Sequence, residues 1–181
     1  MDTKLQERLI SELSRPELLW KQSPNHDSQE RAMLRWVPIA SLTDERIQLG
    51  LSSDASWVRA ASQSVIVFRS EKPCVFLLPI LEVDLEDVRR LLEHGLQEKG
   101  LSREFVRVFP FEHVVITGLE SHSEHWAGLA LKWAEQLATS VGLQSALDAL
   151  IDKGPTQQLR HAAQKLRARQ RSSAAGQNEP L

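Results

Sequence analysis

The stretch VIVFRSEKPCVFLLPIL, residues 65–81, has the clearest strand pattern in the sequence. Its two halves, 65–69 and 74–81, are rich in β-branched and aromatic residues, which is typical of strands. The four residues SEKP between them have the length of a hairpin connection. The stretch therefore predicts two antiparallel strands.

The second of these strands would be apolar on both faces. Because side chains alternate along a strand, one face would carry Cys74, Phe76, Leu78 and Ile80, and the other Val75, Leu77 and Leu81. Helices that cover one face leave the other exposed, and an exposed apolar face marks an interaction surface. We expect the N-terminal helices, a bound polypeptide or a second copy of the chain to cover it.

The chain after residue 81 predicts a helix, a second hairpin and further helices. Residues 84–100 have an apolar stripe of helical period that ends at Gly100. EFVRVF (104–109) and HVVITGL (113–119) have the composition of strands, and a long helix begins within 118–138. Residues 143–153 predict another helix, which Gly154 and Pro155 end.

The first 63 residues give a weaker pattern. Residues 3–13 predict a helix, and Pro16 suits the first turn of a short second one that carries Leu18, Leu19 and Trp20. Residues 23–28 predict a loop, and 31–42 fit either a helix broken at Pro38 or an irregular strand. Residues 47–51 predict a short strand, and Asp54 suits the cap of a brief helix.

These elements predict an α+β fold. Its antiparallel sheet would be built from hairpins that alternate with helices, in the order α-β-β-β-α-β-β-α, followed by a helical C-terminal extension. We expect residues 1–153 to form a single domain, 154–171 a basic helix and 172–181 a disordered tail.

Composition and charge suit a globular protein with a basic appendage. The whole chain has a net charge of −2 and contains 22 basic and 24 acidic residues. Residues 154–181 hold 5 basic residues and 1 acidic residue, which leaves 17 basic and 23 acidic residues, a balance of −6, for residues 1–153. A single cysteine, no signal-peptide pattern and no long apolar run lead us to expect a cytoplasmic protein with no membrane segment.

The richest cluster of potentially reactive side chains is ESHSEH, residues 120–125. His122, His125 and Glu124 are the candidate metal ligands or acid–base groups, but their spacing matches no zinc signature. The same residues fit a helix start, in which Ser121 caps the helix and Glu124 completes a capping box. We favour the helix start and expect no cofactor.

The basic C-terminal helix is a candidate nucleic-acid surface. Its cationic side chains are Arg160, Lys165, Arg167, Arg169 and Arg171. It has no aromatic residue on which bases stack, and it follows an acidic body. We therefore favour a solvated or partner-docking helix over a phosphate contact.

The order of elements resembles the type III secretion chaperone-like fold of bacteria. The resemblance rests on VIVFRSEKPCVFLLPI, VDLEDVRRLLEHGL, FVRVFPFEHVVITGL and HWAGLALKWAEQLATSV, and it covers about residues 1–141. It implies a small, acidic, usually dimeric cytoplasmic protein that holds an extended client segment on apolar patches. Residues 22–63 are longer than that pattern expects, and the helices after Gly142 are additional.

The leading interpretation is a non-enzymatic protein-binding module, a chaperone or an adaptor. Its partner would be another protein, and a homodimer is an additional possibility. Its predicted partner-binding residues are Val65, Val67, Val75, Leu77, Trp126 and Trp133. Two alternatives stay open: a nucleic-acid-associated protein that uses the basic helix, and a metal-dependent enzyme that uses His122, His125 and Glu124.

Overall fold

The computed structural model describes residues 3–27, 32–42 and 47–176, which form two compact units. The sheet unit combines the chain up to Ser70 with Glu86–Pro110. The helical unit combines Glu71–Leu85 with the chain from Phe111 onwards. No helix of the described residues has both the length and the apolar character needed to cross a membrane.

The elements follow one another in an order that differs from the predicted alternation. The strands are β1 (Lys21–Pro24), β2 (Met33–Leu42), β3 (Ile47–Ser52), β4 (Trp57–Ala60) and β5 (Val65–Val67). The α-helices are α1 (Thr3–Leu13), α2 (Leu85–Glu98), α3 (Phe111–Leu119), α4 (Glu124–Ala134), α5 (Val141–Lys153) and α6 (Gln157–Gly176). Two 3₁₀ helices span Val75–Glu82 and Arg103–Val108. The α+β class with C-terminal helices is confirmed, but the described strands are consecutive.

The sheet is an antiparallel meander in the order β1-β2-β3-β4-β5 that curls back on itself. Asn25, just after β1, forms a parallel bridge with Val65 of β5, and the His26 amide donates to the Val65 carbonyl at 2.9 Å. Trp36, Val58 and Val65 pack together within the curl. Gly50 is required beneath Trp36, because a Cβ there would lie 2.5 Å from the indole Cε3.

Helix α2 packs directly on the backbone of β2. The pairing of β2 with β3 shifts register between Pro38 and Ala40, so Ile39 lies in a bulge. A Cβ on Gly95 of α2 would overlap the Ile39 carbonyl oxygen, which shows how closely helix and strand approach. Val88 and Leu92 are fully buried on α2, as the predicted apolar stripe requires. This helix and its end at Gly100, where φ is +66°, agree with the sequence prediction.

The helical unit buries the 3₁₀ helix Val75–Glu82, which the sequence predicted as the doubly apolar strand 74–81. Leu77, Leu78, Ile80 and Leu81 are buried there. The prediction was wrong because a short run that is apolar on every side suits a buried helix as well as a buried strand. Pro79 within the run was a signal against a central strand, since proline cannot donate to a ladder.

The predicted second hairpin is also helical. Residues 104–109 lie in the 3₁₀ helix Arg103–Val108, and 113–119 lie in α3. Strand-like composition was misleading here because tertiary packing overrides β-propensity. The residues Phe111, Val114, Val115, Gly118 and Leu119 are all buried and recur at helical spacing, and that spacing was the available signal.

The N-terminal predictions are partly corrected. The segment from Pro16 to Trp20 contains turns and leads into β1, which occupies part of the predicted loop 23–28. Of the two alternatives for 31–42, the structure has a strand, although residue 31 lies outside the described residues. Asp54 lies in the turn between β3 and β4, where it accepts from the Ser52 hydroxyl and Ala55 has φ +64°, so the predicted brief helix is absent there.

The C-terminal helix is longer than predicted. It begins at Gln157 and continues past the predicted end at residue 171 to Gly176. The predicted disordered tail therefore starts too early, and its last residues, 177–181, lie outside the described residues.

Candidate functional site

The six predicted partner-binding residues fall in two different units and mostly in their cores. Val65 belongs to the buried cluster with Trp36 and Val58 in the sheet unit, and half-buried Val67 packs against that cluster. In the helical unit, Leu77 is fully buried and Trp133 is 2% exposed. Val75 is 61% exposed and Trp126 is half-buried. Both units therefore use these residues mainly for their own packing.

The surroundings of Cys74 show how the 3₁₀ helix Val75–Glu82 is fixed. The Cys74 amide donates to Thr117 Oγ1 at 3.2 Å, and Cys74 Sγ lies 3.4 Å from the same oxygen. His113 Nε2 donates to the Lys72 carbonyl at 2.5 Å. Burial raises the pKa of the Cys74 thiol, which suits a packing role rather than a nucleophile.

A surface that the sequence did not indicate lies where β1 and β2 pair. Leu19, just before β1, is 84% exposed, and Met33 at the start of β2 is 59% exposed. Arg35 lies two residues after Met33 on the same side of the strand, and its guanidinium carbon is 5.0 Å from the Trp20 ring centre. We call Leu19, Trp20, Met33 and Arg35 the β1–β2 face.

The strand pairing holds this face in place. Met33 lies opposite Pro24, and Arg35 lies opposite Gln22. On the other side of the strands, Trp36 donates from Nε1 to the Ser23 hydroxyl at 3.1 Å, and the Lys21 ammonium lies 5.4 Å from the Trp36 ring centre. The hydrogen bond and the buried indole anchor β1 on β2, so the outer side chains project from a fixed backbone.

The predicted histidine cluster does not gather into one site. His125 Nε2 lies 3.3 Å from Glu82 Oε1, and the rings of His125 and Trp126 meet edge to face with their centres 4.5 Å apart. Glu124 lies in the first turn of α4. His122 has φ +56°, in the left-handed region. Among the residues that the structure describes, no group of three His, Cys, Asp or Glu is arranged to hold a metal ion.

The start of α4 is displaced from its predicted position. Ser123, rather than Ser121, is the cap, and its hydroxyl accepts from the Trp126 amide at 3.4 Å. Ser121 instead donates to the Gly118 carbonyl at 2.7 Å and accepts from the Ser123 amide at 3.3 Å. Ser121 fits the capping-box pattern with Glu124 and Ser123 does not, but the left-handed backbone at His122 lies between Ser121 and the start of α4, so Ser123 forms the cap.

The basic helix α6 is docked on the helical unit, and several of its cations are already engaged. Arg167 is 12% exposed and binds the Asp148 carboxylate of α5 in a bidentate pair at 2.9 and 3.1 Å. Arg160 donates to the Gly154 carbonyl at 2.7 Å, and Arg169 lies 3.8 Å from Glu135. The exposed cations Lys165 and Arg171 complete the predicted set. These contacts show that α6 packs on α4 and α5 of its own unit.

The Arg167–Asp148 pair makes α6 docking sensitive to acid. Hydrogen bonds from Arg167 hold the pKa of the Asp148 carboxyl below its ordinary value. A lowered folded-state pKa contributes stability above the ordinary aspartate pKa, and that stability is lost as pH falls through the folded-state pKa. We expect Asp148→Asn to cost at most about 1 kcal/mol at neutral pH, because Asp148 is half exposed. The difference in the free energy of unfolding between the wild-type chain and Asp148→Asn should shrink below about pH 4.

Urea denaturation of the wild-type and variant chains across this pH range checks the prediction. Asp152→Asn is the matched control, because Asp152 is exposed on the same helix. A difference between the wild-type chain and Asp148→Asn that stays constant down to strongly acid pH would contradict it.

No protein-family model, curated protein or solved structure matches the chain.

Proposed function

We propose that the chain is a non-enzymatic polypeptide-binding protein, a chaperone or an adaptor, that holds an extended partner segment against the β1–β2 face. The observation that carries the proposal is the exposure of Leu19 and Met33 beside the stacked pair of Trp20 and Arg35. Tryptophan, methionine and arginine are the residue types enriched at protein interfaces. The proposal rests on this face and not on the resemblance to secretion chaperones.

The chemistry of the face selects an apolar and acidic partner segment. Met33 is flexible and polarisable, so it adapts to differently shaped apolar side chains. Arg35 offers a cation that stacking on Trp20 already orients. This charge attracts a carboxylate and repels a basic segment, so the partner should combine apolar side chains with aspartate or glutamate.

The partner would bind to side chains rather than add a strand to the sheet. β1 has four residues and includes Lys21 and Pro24, and a short edge with lysine and proline opposes strand addition. β5 at the other side of the sheet has three residues. Burial of one exposed leucine or methionine side chain contributes about 1.5–3 kcal/mol, which is part of the roughly 8 kcal/mol that micromolar binding requires.

Fluorescence anisotropy with two matched peptide libraries tests the proposal. One library alternates leucine or phenylalanine with glutamate, and the other replaces glutamate by lysine. We expect the acidic library to bind and Met33→Asp to weaken binding about tenfold or more, because the substitution removes an apolar anchor and adds a repelling charge.

Val75→Asp is the matched control, because Val75 is a similarly exposed apolar residue that the sequence had predicted as a contact. It should leave the affinity unchanged. Equal binding of both libraries, or a loss with Val75→Asp and none with Met33→Asp, would contradict the proposal.

Light scattering distinguishes a client segment from a second copy of the chain. If Met33→Asp converts a dimer into a monomer, the β1–β2 face is a homodimer interface and the client proposal is wrong. An unchanged mass together with lost peptide binding supports it.

A further inference from the structure

A cavity of about 350 Å³ lies within the helical unit, and none of its lining residues belongs to the β1–β2 face. Two segments of the chain line the cavity. One is the end of α3 with the turn after it, and the other is the last turn of α5 with the following Gly154 and Pro155. The lining residues are Leu119, Glu120, His122, Ala149, Leu150, Lys153, Gly154 and Pro155. Its volume is near the lower end of the range of about 300–1,000 Å³ for small-molecule sites.

The lining is mostly apolar and includes three polar side chains. Leu119 and Leu150 are buried and supply the apolar wall together with Pro155. Glu120, His122 and Lys153 are exposed, so their charged or polar ends are accessible to a ligand. Apolar walls with a few convergent polar groups are the usual composition of a site that binds a small organic molecule.

The backbone around the cavity is fixed without a ligand. Gly154 ends α5, with its amide donating to the Leu150 carbonyl at 2.8 Å and its carbonyl accepting from Arg160 Nη1 at 2.7 Å. In the other lining segment, His122 has φ +56°, a conformation that costs a non-glycine residue about 1–2 kcal/mol. The hydrogen bonds of Ser121 to Gly118 and Ser123 hold this turn. The cavity is therefore preorganised for binding.

We propose that this cavity binds a free apolar amino acid, such as leucine or phenylalanine. The Lys153 ammonium would pair with the ligand carboxylate, and the Glu120 carboxylate would pair with the ligand ammonium. The apolar side chain of the ligand would lie against Leu119, Leu150 and Pro155, and the His122 imidazole would add a hydrogen bond at the mouth. A ligand with a single charge would pair with either Lys153 or Glu120 and would leave the other side chain without a partner. A zwitterion pairs with both, so it fits best.

Isothermal titration calorimetry with phenylalanine and two truncated analogues tests the proposal. The analogues are 3-phenylpropionate, which lacks the ammonium, and phenethylamine, which lacks the carboxylate. We expect phenylalanine to bind the wild-type chain and each analogue to bind at least about tenfold more weakly, as the loss of one charge-assisted hydrogen bond implies.

Charge-removing variants assign the two contacts. Lys153→Gln should weaken phenylalanine about tenfold and leave phenethylamine unchanged, and Glu120→Gln should weaken phenylalanine and leave 3-phenylpropionate unchanged. Lys132→Gln is the control, because Lys132 is an exposed lysine of α4 outside the lining.

A filling variant separates binding in the cavity from binding elsewhere. Ala149→Phe places a ring at an exposed lining position of α5, so the chain should keep its helical circular dichroism and lose the ligand. No heat of binding for leucine or phenylalanine near their solubility limits would overturn the proposal. So would 3-phenylpropionate binding as tightly as phenylalanine, or Ala149→Phe binding phenylalanine like the wild-type chain.

Discussion

Replacement of Trp133 by alanine is expected to lower the free energy of unfolding of the helical unit by about 3–5 kcal/mol. The side chain is 2% exposed, its Nε1 donates to the Val83 carbonyl at 3.0 Å, and its ring centre lies 6.1 Å from that of Phe111. Truncation would leave a cavity of ring size and a carbonyl without its donor. Urea denaturation followed by far-ultraviolet circular dichroism measures the effect.

Trp133→Phe is the matched variant for this test. It keeps an aromatic ring in the core and removes only the hydrogen-bond donor and part of the volume, so we expect a smaller loss of about 1–3 kcal/mol. If Trp133→Ala were as stable as the wild-type chain and had only lost peptide binding, the result would support the partner-binding role that the sequence predicted for Trp133.

Replacement of Gly95 by alanine is expected to destabilise the sheet unit by about 3 kcal/mol, although alanine is the better helix former. A Cβ at this position of α2 would overlap the carbonyl oxygen and approach the carbonyl carbon of Ile39. Backbone atoms cannot rotate away as a flexible side chain does, so α2 and β2 must separate. The same denaturation experiment measures the loss.

Gly128→Ala is the control for the helical propensity of alanine. Gly128 lies within α4, where an added Cβ would meet only the Leu159 Cδ2 at 3.9 Å. This variant should be unchanged or more stable by about 0.5–1 kcal/mol. Equal effects of the two substitutions would contradict the close approach of α2 and β2.

The sequence predicted those elements whose periodicity is clear and whose ends are marked. The apolar stripe that includes Val88 and Leu92, together with the helix stop at Gly100, correctly predicted α2. The break at Gly154 correctly predicted the boundary between α5 and α6. In these cases local preference and tertiary packing agree. The α+β class followed from such elements.

The helical conformation of 74–81 and 113–119 was missed because both runs are mostly apolar in sequence. A run with few polar residues shows little contrast between polar and apolar positions, on which the choice between strand and helix depends. The sequence also left 31–42 open, because Pro38 is unusual in both a helix and a strand. The register shift between Pro38 and Ala40 shows how β2 accommodates it.

The candidate sites could be predicted less well than the fold. The exposure of Leu19 and Met33 depends on which surfaces the rest of the chain leaves uncovered, and no local pattern encodes that. His122 was singled out for its neighbours in sequence, but the structure places it beside α5 residues about 30 positions away in sequence, Ala149 to Lys153. A cavity formed by two separate segments has no signature in either one.

Hydrogen exchange of the chain with the acidic–apolar peptide library bound reports which backbone amides a partner protects. We predict slower exchange at residues 19–23 and 33–36, around the β1–β2 face, and no change at Val75–Glu82. Protection of Val75–Glu82 with no change around Met33 would show that the partner lies on the segment first predicted from the sequence, and it would contradict the account.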